Sequence, residues 1–207
     1  MFINIHTHNP TNKHIEIANL PTSQTSIFYS YGIHPNEADY TTVIPTNYIA
    51  ENIISIGEIG LDKLIQTNIN QQIKIFKEQL IISEELKLPV VLHCVKAWNE
   101  AHQIKKELNI QQPWIFHGFR KTSLLDSILN SKTKISIGTA ILYDKKLQDC
   151  LTEIPLNHLF LETDDDKGIT IEEVYTKVST IKKLSLQELK KEIHNNFINT
   201  FKNVKLA

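Results

Sequence analysis

Short runs of β-branched and aromatic residues recur along this chain, and most are followed by a stretch with helical spacing. FINIH (2–6), SIFYSYGIH (26–34), IISIGEIG (53–60), PVVLHC (89–94), PWIFHG (113–118), KISIGTA (134–140) and LFLETD (159–164) read as short strands buried on both faces. HIEIANL (14–20) is a further short candidate. Between them, residues 70–88 place apolar side chains at 73, 76, 80, 81 and 86, close to one helical face, and stop at Pro89. Residues 96–108, 122–131, 170–184 and 186–203 read as further helices, with Thr122 or Ser123 as the cap of the second. Strand–helix alternation of this kind predicts an α/β fold with a parallel sheet. Seven or eight such strands close into a TIM-like (β/α) barrel, and 207 residues is at the short end for one, so a distorted barrel short of one β/α unit is the expectation. The open doubly wound alternative lacks support, because no G-x-G-x-x-G turn follows the first strand.

No Ser/Gly-rich linker, repeat or low-complexity tract divides the chain, so residues 1–207 are expected to form a single domain. A net charge of −1 gives no global field to draw in nucleic acid, and any phosphate recognition must be local. Cys94 and Cys150 are the only cysteines, which argues against a disulfide scaffold. With no basic-then-apolar leader pattern and no long apolar run, the expectation is a cytoplasmic protein with no membrane partner. No obligate protein partner is indicated.

Polar residues collect where the strands end. The first run carries His6 and His8, which alternate onto one side of an extended strand. Glu58, His93, His117 and Asp164 stand at or just past the ends of four later runs. In a parallel barrel those ends share one face, the one that carries catalytic groups. Four imidazoles and two carboxylates suit one or two divalent cations. Each has an ordinary alternative: His93 and His117 as core histidines, Glu58 as a turn cap between two glycines, Asp164 as the start of a solvated acidic run. Six such residues at strand ends together are not explained by six separate accidents.

At these residues the sequence resembles the TatD family of metal-dependent hydrolases, barrel enzymes of the amidohydrolase type. The similarity runs in order through N-I-H-T-H (4–8), Y-G-I-H-P-N-E-A (31–38), I-G-E-I-G-L-D (56–62), F-K-E-Q-L (76–80), L-P-V-V-L-H (88–93), F-H-G-F (116–119), L-E-T-D (161–164) and N-N-F-I-N-T-F (195–201). The resemblance implies that His6, His8 and Asp164 hold one ion, His93 and His117 the other, with Glu58 bridging. It implies two divalent ions (Mg²⁺, Mn²⁺ or Zn²⁺) and DNA as the substrate. Asp164 and Glu58 are then the catalytic carboxylates, with Asp164 taking a proton from the attacking water. Glu162 and Asp62 stand behind the ligands, with a structural salt bridge as the plain alternative for Glu162.

This chain departs from the family pattern at Asn4, where an aspartate is usual, and at Val95, where an arginine is common. Arg120 and Asp166 also replace residues of other types, and one strand–helix unit before G-I-H-P is expected to be missing. These changes bear on substrate more than on metal. Arg120 is the only arginine, and a guanidinium matches phosphate oxygens in a way lysine does not. Arg120, Lys96 and His34 are therefore the candidate substrate contacts, with Lys63 adding to a basic rim and a capping or packing role the alternative for His34. Trp98 and Trp114 are candidates for base stacking, a core position being the usual fate of a strand tryptophan. His14, His102, His158 and His194 read as surface or structural. The leading function is a metal-dependent deoxyribonuclease. A metal-dependent esterase or amidase, and a metal-stabilised binding protein without turnover, are the competing readings.

Overall fold

Residues 15–20, the least certain strand of the sequence reading, take a central place beside the first one. The computed structural model describes residues 1–20, 26–39, 50–202 and 204. In it β1 (Ile3–Thr7) and β2 (Ile15–Leu20) run parallel, with Ile3 opposite Ile15. β3 (Phe28–Tyr31), β4 (Ile53–Asp62), β5 (Val90–Val95), β6 (Trp114–Phe116), β7 (Lys134–Ile137) and β8 (Leu159–Leu161) follow. They form one sheet in sequence order, each parallel to the next. A single parallel bridge between Thr7 and Asp164 completes the ring. There the His8 amide donates to the Asp164 carbonyl at 2.9 Å and the Asp164 amide to the His6 carbonyl at 3.1 Å. Barrel closure and the first and last motif residues are thus one piece of structure.

α1 (Ile69–Leu86), α2 (Trp98–Glu107), α3 (Leu125–Asn130), α4 (Lys145–Leu151), α5 (Ile171–Lys182) and α6 (Leu186–Thr200) surround the later strands. α5 and α6 each begin on a capping box, Thr170 with Glu173 and Ser185 with Glu188, so their start points are written into the local sequence. α1 ends at Lys87 in a left-handed cap (φ 54°) just before Pro89. None of the helices among the described residues is long and apolar enough to cross a membrane.

Four expectations are corrected. The missing β/α unit has lost its helix, not its strand: all eight strands are present, and residues 8–14 join β1 to β2 without a helix. The buried Glu16 carboxylate holds this short link by accepting from the amides of Thr11 (2.8 Å) and Asn12 (2.7 Å). Residues 122–131 divide into a 3₁₀ turn at Thr122–Leu124 and α3, and neither Thr122 nor Ser123 caps it. The helix expected over 186–203 stops at Thr200, and residue 203 lies outside the described residues. β4 continues to Asp62, so Glu58 stands inside the strand and Asp62 at its end. Pairing of Asp62 with Val95 extends it. A register irregularity between Ile56 and Ile59 brackets Glu58. Within this stretch Gly60 has φ 151°, and a Cβ there would lie 1.8 Å from the His93 carbonyl oxygen, so only glycine lets β4 and β5 approach.

Candidate metal centre

Glu58 is the hub of the C-terminal rim, 6% exposed and surrounded by imidazoles. Its two oxygens face different groups. Oε2 lies 3.4 Å from His6 Nε2 and 3.8 Å from His8 Nε2, and Asp164 Oδ1 lies 3.4 and 3.6 Å from the same two nitrogens. Oε1 lies 2.6 Å from both His93 Nδ1 and His117 Nε2, and 3.6 Å from His34 Nε2. Asn19 on β2 sets the backbone here, its Oδ1 accepting from the Glu58 amide at 2.9 Å and from Ser30 Oγ at 3.0 Å.

A second layer of carboxylates backs two of the histidines. Glu162, fully buried immediately after β8, places Oε1 3.5 Å from His117 Nδ1 and accepts from the Gly118 amide at 2.6 Å. Asp62 Oδ2 lies 3.2 Å from His93 Nε2. Gln72 on α1 grips Asp62 from both sides: its Oε1 accepts from the Asp62 amide at 2.8 Å, and its Nε2 donates to the Asp62 carbonyl at 3.0 Å. Asn4 performs a similar task for Asp164. It accepts from the Thr163 amide at 3.1 Å and donates to Thr163 Oγ1 at 2.9 Å. An aspartate at position 4 would keep the first bond and lose the second donor.

The electrostatics follow from burial working against close charges. Burial alone would depress the His6 imidazole, yet Asp164 and Glu58 beside Nε2 hold it up at about 9. Burial also opposes charge on His117, and Glu58 and Glu162 push it well above the ordinary histidine range. Glu58 is buried too, but His117, His6 and His8 hold its carboxyl well below the usual range. His6 is held likewise against Asp164, whose carboxyl sits below its ordinary value despite burial. Burial lowers His34, only partly offset by Glu58.

The donor set fits divalent metal. His6 is completely buried, and neither ring nitrogen has a hydrogen-bond partner among the described residues. An unsatisfied buried polar group costs about 1–3 kcal/mol, so an imidazole left this way beside two carboxylates is suited to a cation. Three groups of ligand-capable atoms lie within 4.8 Å of one another: His6, His117 and Asp164; His6, His8 and Glu58; His34, Glu58 and His93. The carboxylate–imidazole chemistry is that of zinc-class and magnesium-class sites alike.

All six of the strand-end residues read from the sequence therefore meet, together with Asp62, Glu162 and His34. The cationic rim is less tidy. Arg120 lies with Tyr143 and Asp164 along one cleft and is paired with Asp144 at 3.4 Å. Lys96 is exposed one residue past β5, whereas Lys63 is tied up with Glu100. Trp98 and Trp114 are corrected as stacking candidates: both are buried, Trp98 donating to Ser127 Oγ at 2.8 Å. His14 faces Glu172, His102 stacks on Trp98, His158 approaches the Thr133 carbonyl and His194 is exposed, all away from the rim. Asn19, Gln72 and Gln79 were not anticipated, and Asn4 stood out only as a departure from the family pattern; Gln72 and Gln79, two amides seven residues apart on a buried helix face, leave a periodic trace.

A parallel barrel with imidazoles and carboxylates gathered on its C-terminal rim defines the class of barrel proteins with a candidate metal centre on the catalytic face. The family model described as TatD related DNase matches residues 1–202, and the chain belongs to the TatD family. Among its relatives, tatdn3 of Danio rerio is 30% identical over 155 residues, covering 67% of this chain and 58% of that one. The 3′-5′ ssDNA/RNA exonuclease TatD of Erwinia amylovora is 32% identical over 154 residues, covering 64% of this chain and 56% of that one. This chain thus spans a little over half the length of these two relatives. The crystal structure of YjjV, a TatD homologue from Escherichia coli, shares the fold, with a TM-score of 0.83 at 20% identity over 99% of this chain and 98% of that one.

Proposed function

We propose that this protein is a single-domain, divalent-metal-dependent nuclease that hydrolyses phosphodiester bonds of single-stranded DNA. The observation that carries this reading is the division of labour at Glu58, whose Oε2 faces His6 and His8 while Oε1 faces His93 and His117. That arrangement supports two ions of the Mg²⁺, Mn²⁺ or Zn²⁺ type. His6, His8 and Asp164 would hold one, His93 and His117 the other, and Glu58 would contribute an oxygen to each. Ions bound there supply a lowered water pKa and neutralise charge on the phosphate oxygens. The name of the Erwinia relative, an exonuclease of single-stranded DNA and RNA, supports the substrate class.

The chain's own residues then have distinct tasks. Asp164 meets His6 and His8 through Oδ1, which leaves Oδ2 as the oxygen to take the proton from the attacking water. Glu162 stands 3.5 Å behind His117 Nδ1 and Asp62 3.2 Å behind His93 Nε2, so each imidazole keeps its other nitrogen turned toward Glu58. Arg120 projects into the cleft beside Asp164 and can engage phosphate oxygens by two parallel N–H donors. Lys96 adds charge at the rim without a fixed partner geometry of that kind.

The test is chelation followed by divalent add-back, with a single-stranded oligonucleotide, a carboxylate ester and an amide assayed side by side. Cleavage of the oligonucleotide alone, lost on chelation and restored by metal, is the expected result. Restored turnover of the ester or amide with the oligonucleotide left intact would replace the phosphodiester reading.

A further inference from the structure

His34 stands outside the six-residue set, yet its placement follows the same plan as the histidines within it. It lies three residues past β3 at the start of the Pro35–Glu37 3₁₀ turn. The preceding residue is fixed by α1: the Ile33 amide donates to Gln79 Oε1 at 2.6 Å, and Gln79 Nε2 donates back to the Ile33 carbonyl at 3.1 Å. Gln79 is 1% exposed, so this buried amide serves only to hold that loop backbone in place. The His34 ring then packs edge-on against His93, with centroids 4.4 Å apart.

Three imidazoles converge on one oxygen. His93 Nδ1 and His117 Nε2 lie 2.6 Å from Glu58 Oε1, and His34 Nε2 lies 3.6 Å from it. Behind each ring the other nitrogen has an oxygen: Asp62 Oδ2 for His93, Glu162 Oε1 for His117 and Asn36 Oδ1 for His34, the last at 2.7 Å. The Asn36 backbone amide also donates to His34 Nδ1 at 3.2 Å, capping the 3₁₀ turn. Asn36 thus holds Nδ1 through both its side chain and its backbone, which turns Nε2 toward Glu58. An outer acceptor that fixes the tautomer is the usual company of a metal-binding histidine.

We infer that His34 is a further ligand of the second ion, joining Glu58, His93 and His117 through Nε2. This rests on the two-ion reading above. Its consequence is a difference in character between the two sites. Two imidazoles and two carboxylates surround the first position, whereas three imidazole nitrogens and one carboxylate oxygen surround the second. Imidazole-rich sets favour zinc and its transition-metal neighbours, while magnesium prefers oxygen ligands. The second position therefore selects a zinc-class ion and rejects magnesium.

The experiment is a titration of the chelator-stripped full chain with Co²⁺ alone, followed by visible absorption, with and without millimolar Mg²⁺. The wild type takes up two equivalents, and the second resists Mg²⁺. His34→Ala keeps the first equivalent and binds the second at least about 100-fold more weakly, beyond the loss an outer partner brings. Asn36→Ala weakens the second equivalent by about tenfold, and Asn36→Asp, which keeps a side-chain oxygen beside Nδ1, restores it. Circular dichroism of the stripped proteins checks that each variant is folded, and the Asn36 pair decides the matter should His34→Ala not fold. Two equivalents bound equally tightly by the wild type, His34→Ala and Asn36→Ala would overturn this inference alone, and a raised KM for oligonucleotide in His34→Ala would then make His34 a substrate contact. Fewer than two equivalents in the wild type would overturn the two-ion reading and this inference with it.

Discussion

Glu162 shows how much of this rim is decided one atom at a time. It is fully buried, and its Oε1 both receives the Gly118 amide and faces His117 Nδ1, while Oε2 has no hydrogen-bond partner among the described residues. A carboxylate is held in that position at a desolvation cost that a mere packing residue would not require. Glu162→Gln, which keeps the shape and loses the charge, should weaken metal binding by about tenfold, and Glu162→Ala by about 100-fold, with binding followed by metal titration. Unchanged affinity in both would make Glu162 structural. At this scale the ligand-type residues were legible because histidine and carboxylate are conspicuous at the ends of apolar runs. Asn19 was not, because a buried amide is written in sequence with the same letter as a solvated one, and only the fold reveals that Asn19 meets Glu58.

Between elements, a few contacts transmit the barrel's geometry to the rim. The Tyr175 hydroxyl of α5 donates to the Ile3 carbonyl at 3.0 Å and accepts from the Ile3 amide at 3.2 Å, pinning the start of the strand that carries His6. Tyr175→Phe should lower unfolding free energy by about 1–3 kcal/mol, measured by urea denaturation, because it leaves both backbone groups of Ile3 unmet. Gly60→Ala should do more, about 4 kcal/mol or a failure to fold, since its Cβ would collide with the His93 carbonyl. Apolar spacing and Pro89 made α1 readable, and α5 and α6 read as helices although the capping boxes that fix their starts went unused. α4 escaped notice because two turns carry too little periodicity to be told from a loop, although Asp144 caps it. The run at 122–131 was readable as helical but not in its first turn, where the backbone tightens to 3₁₀ and dispenses with a hydroxyl cap.

For the molecule as a whole, closure of the sheet does most of the functional work. Residues as distant in sequence as His6 and Asp164 become neighbours because Thr7 and Asp164 are bridge partners. The barrel and its shortness were legible from strand–helix alternation, but not the form of the shortening: β2 is present and the link before it, held by the buried Glu16, has no helix. Global stability also has a pH signature away from the site. Burial lowers the Lys105 ammonium, which lies over the Trp114 ring at 4.6 Å, to about 8 from the ordinary 10.5. The unfolded chain then binds the extra proton between those values, so stability rises with pH across that window as the penalty of burying the charge is relieved. Lys105→Met should be more stable than the wild type at pH 7, with the difference narrowing toward pH 10.5 in denaturation curves.

One number tests the central claim, the count of divalent ions bound per chain with and without the Glu58 carboxylate. Elemental analysis of metal-saturated, gel-filtered protein should give two ions for the wild type and at most one for folded Glu58→Ala. Two ions retained without Glu58, or fewer than two in the wild type, would contradict the account.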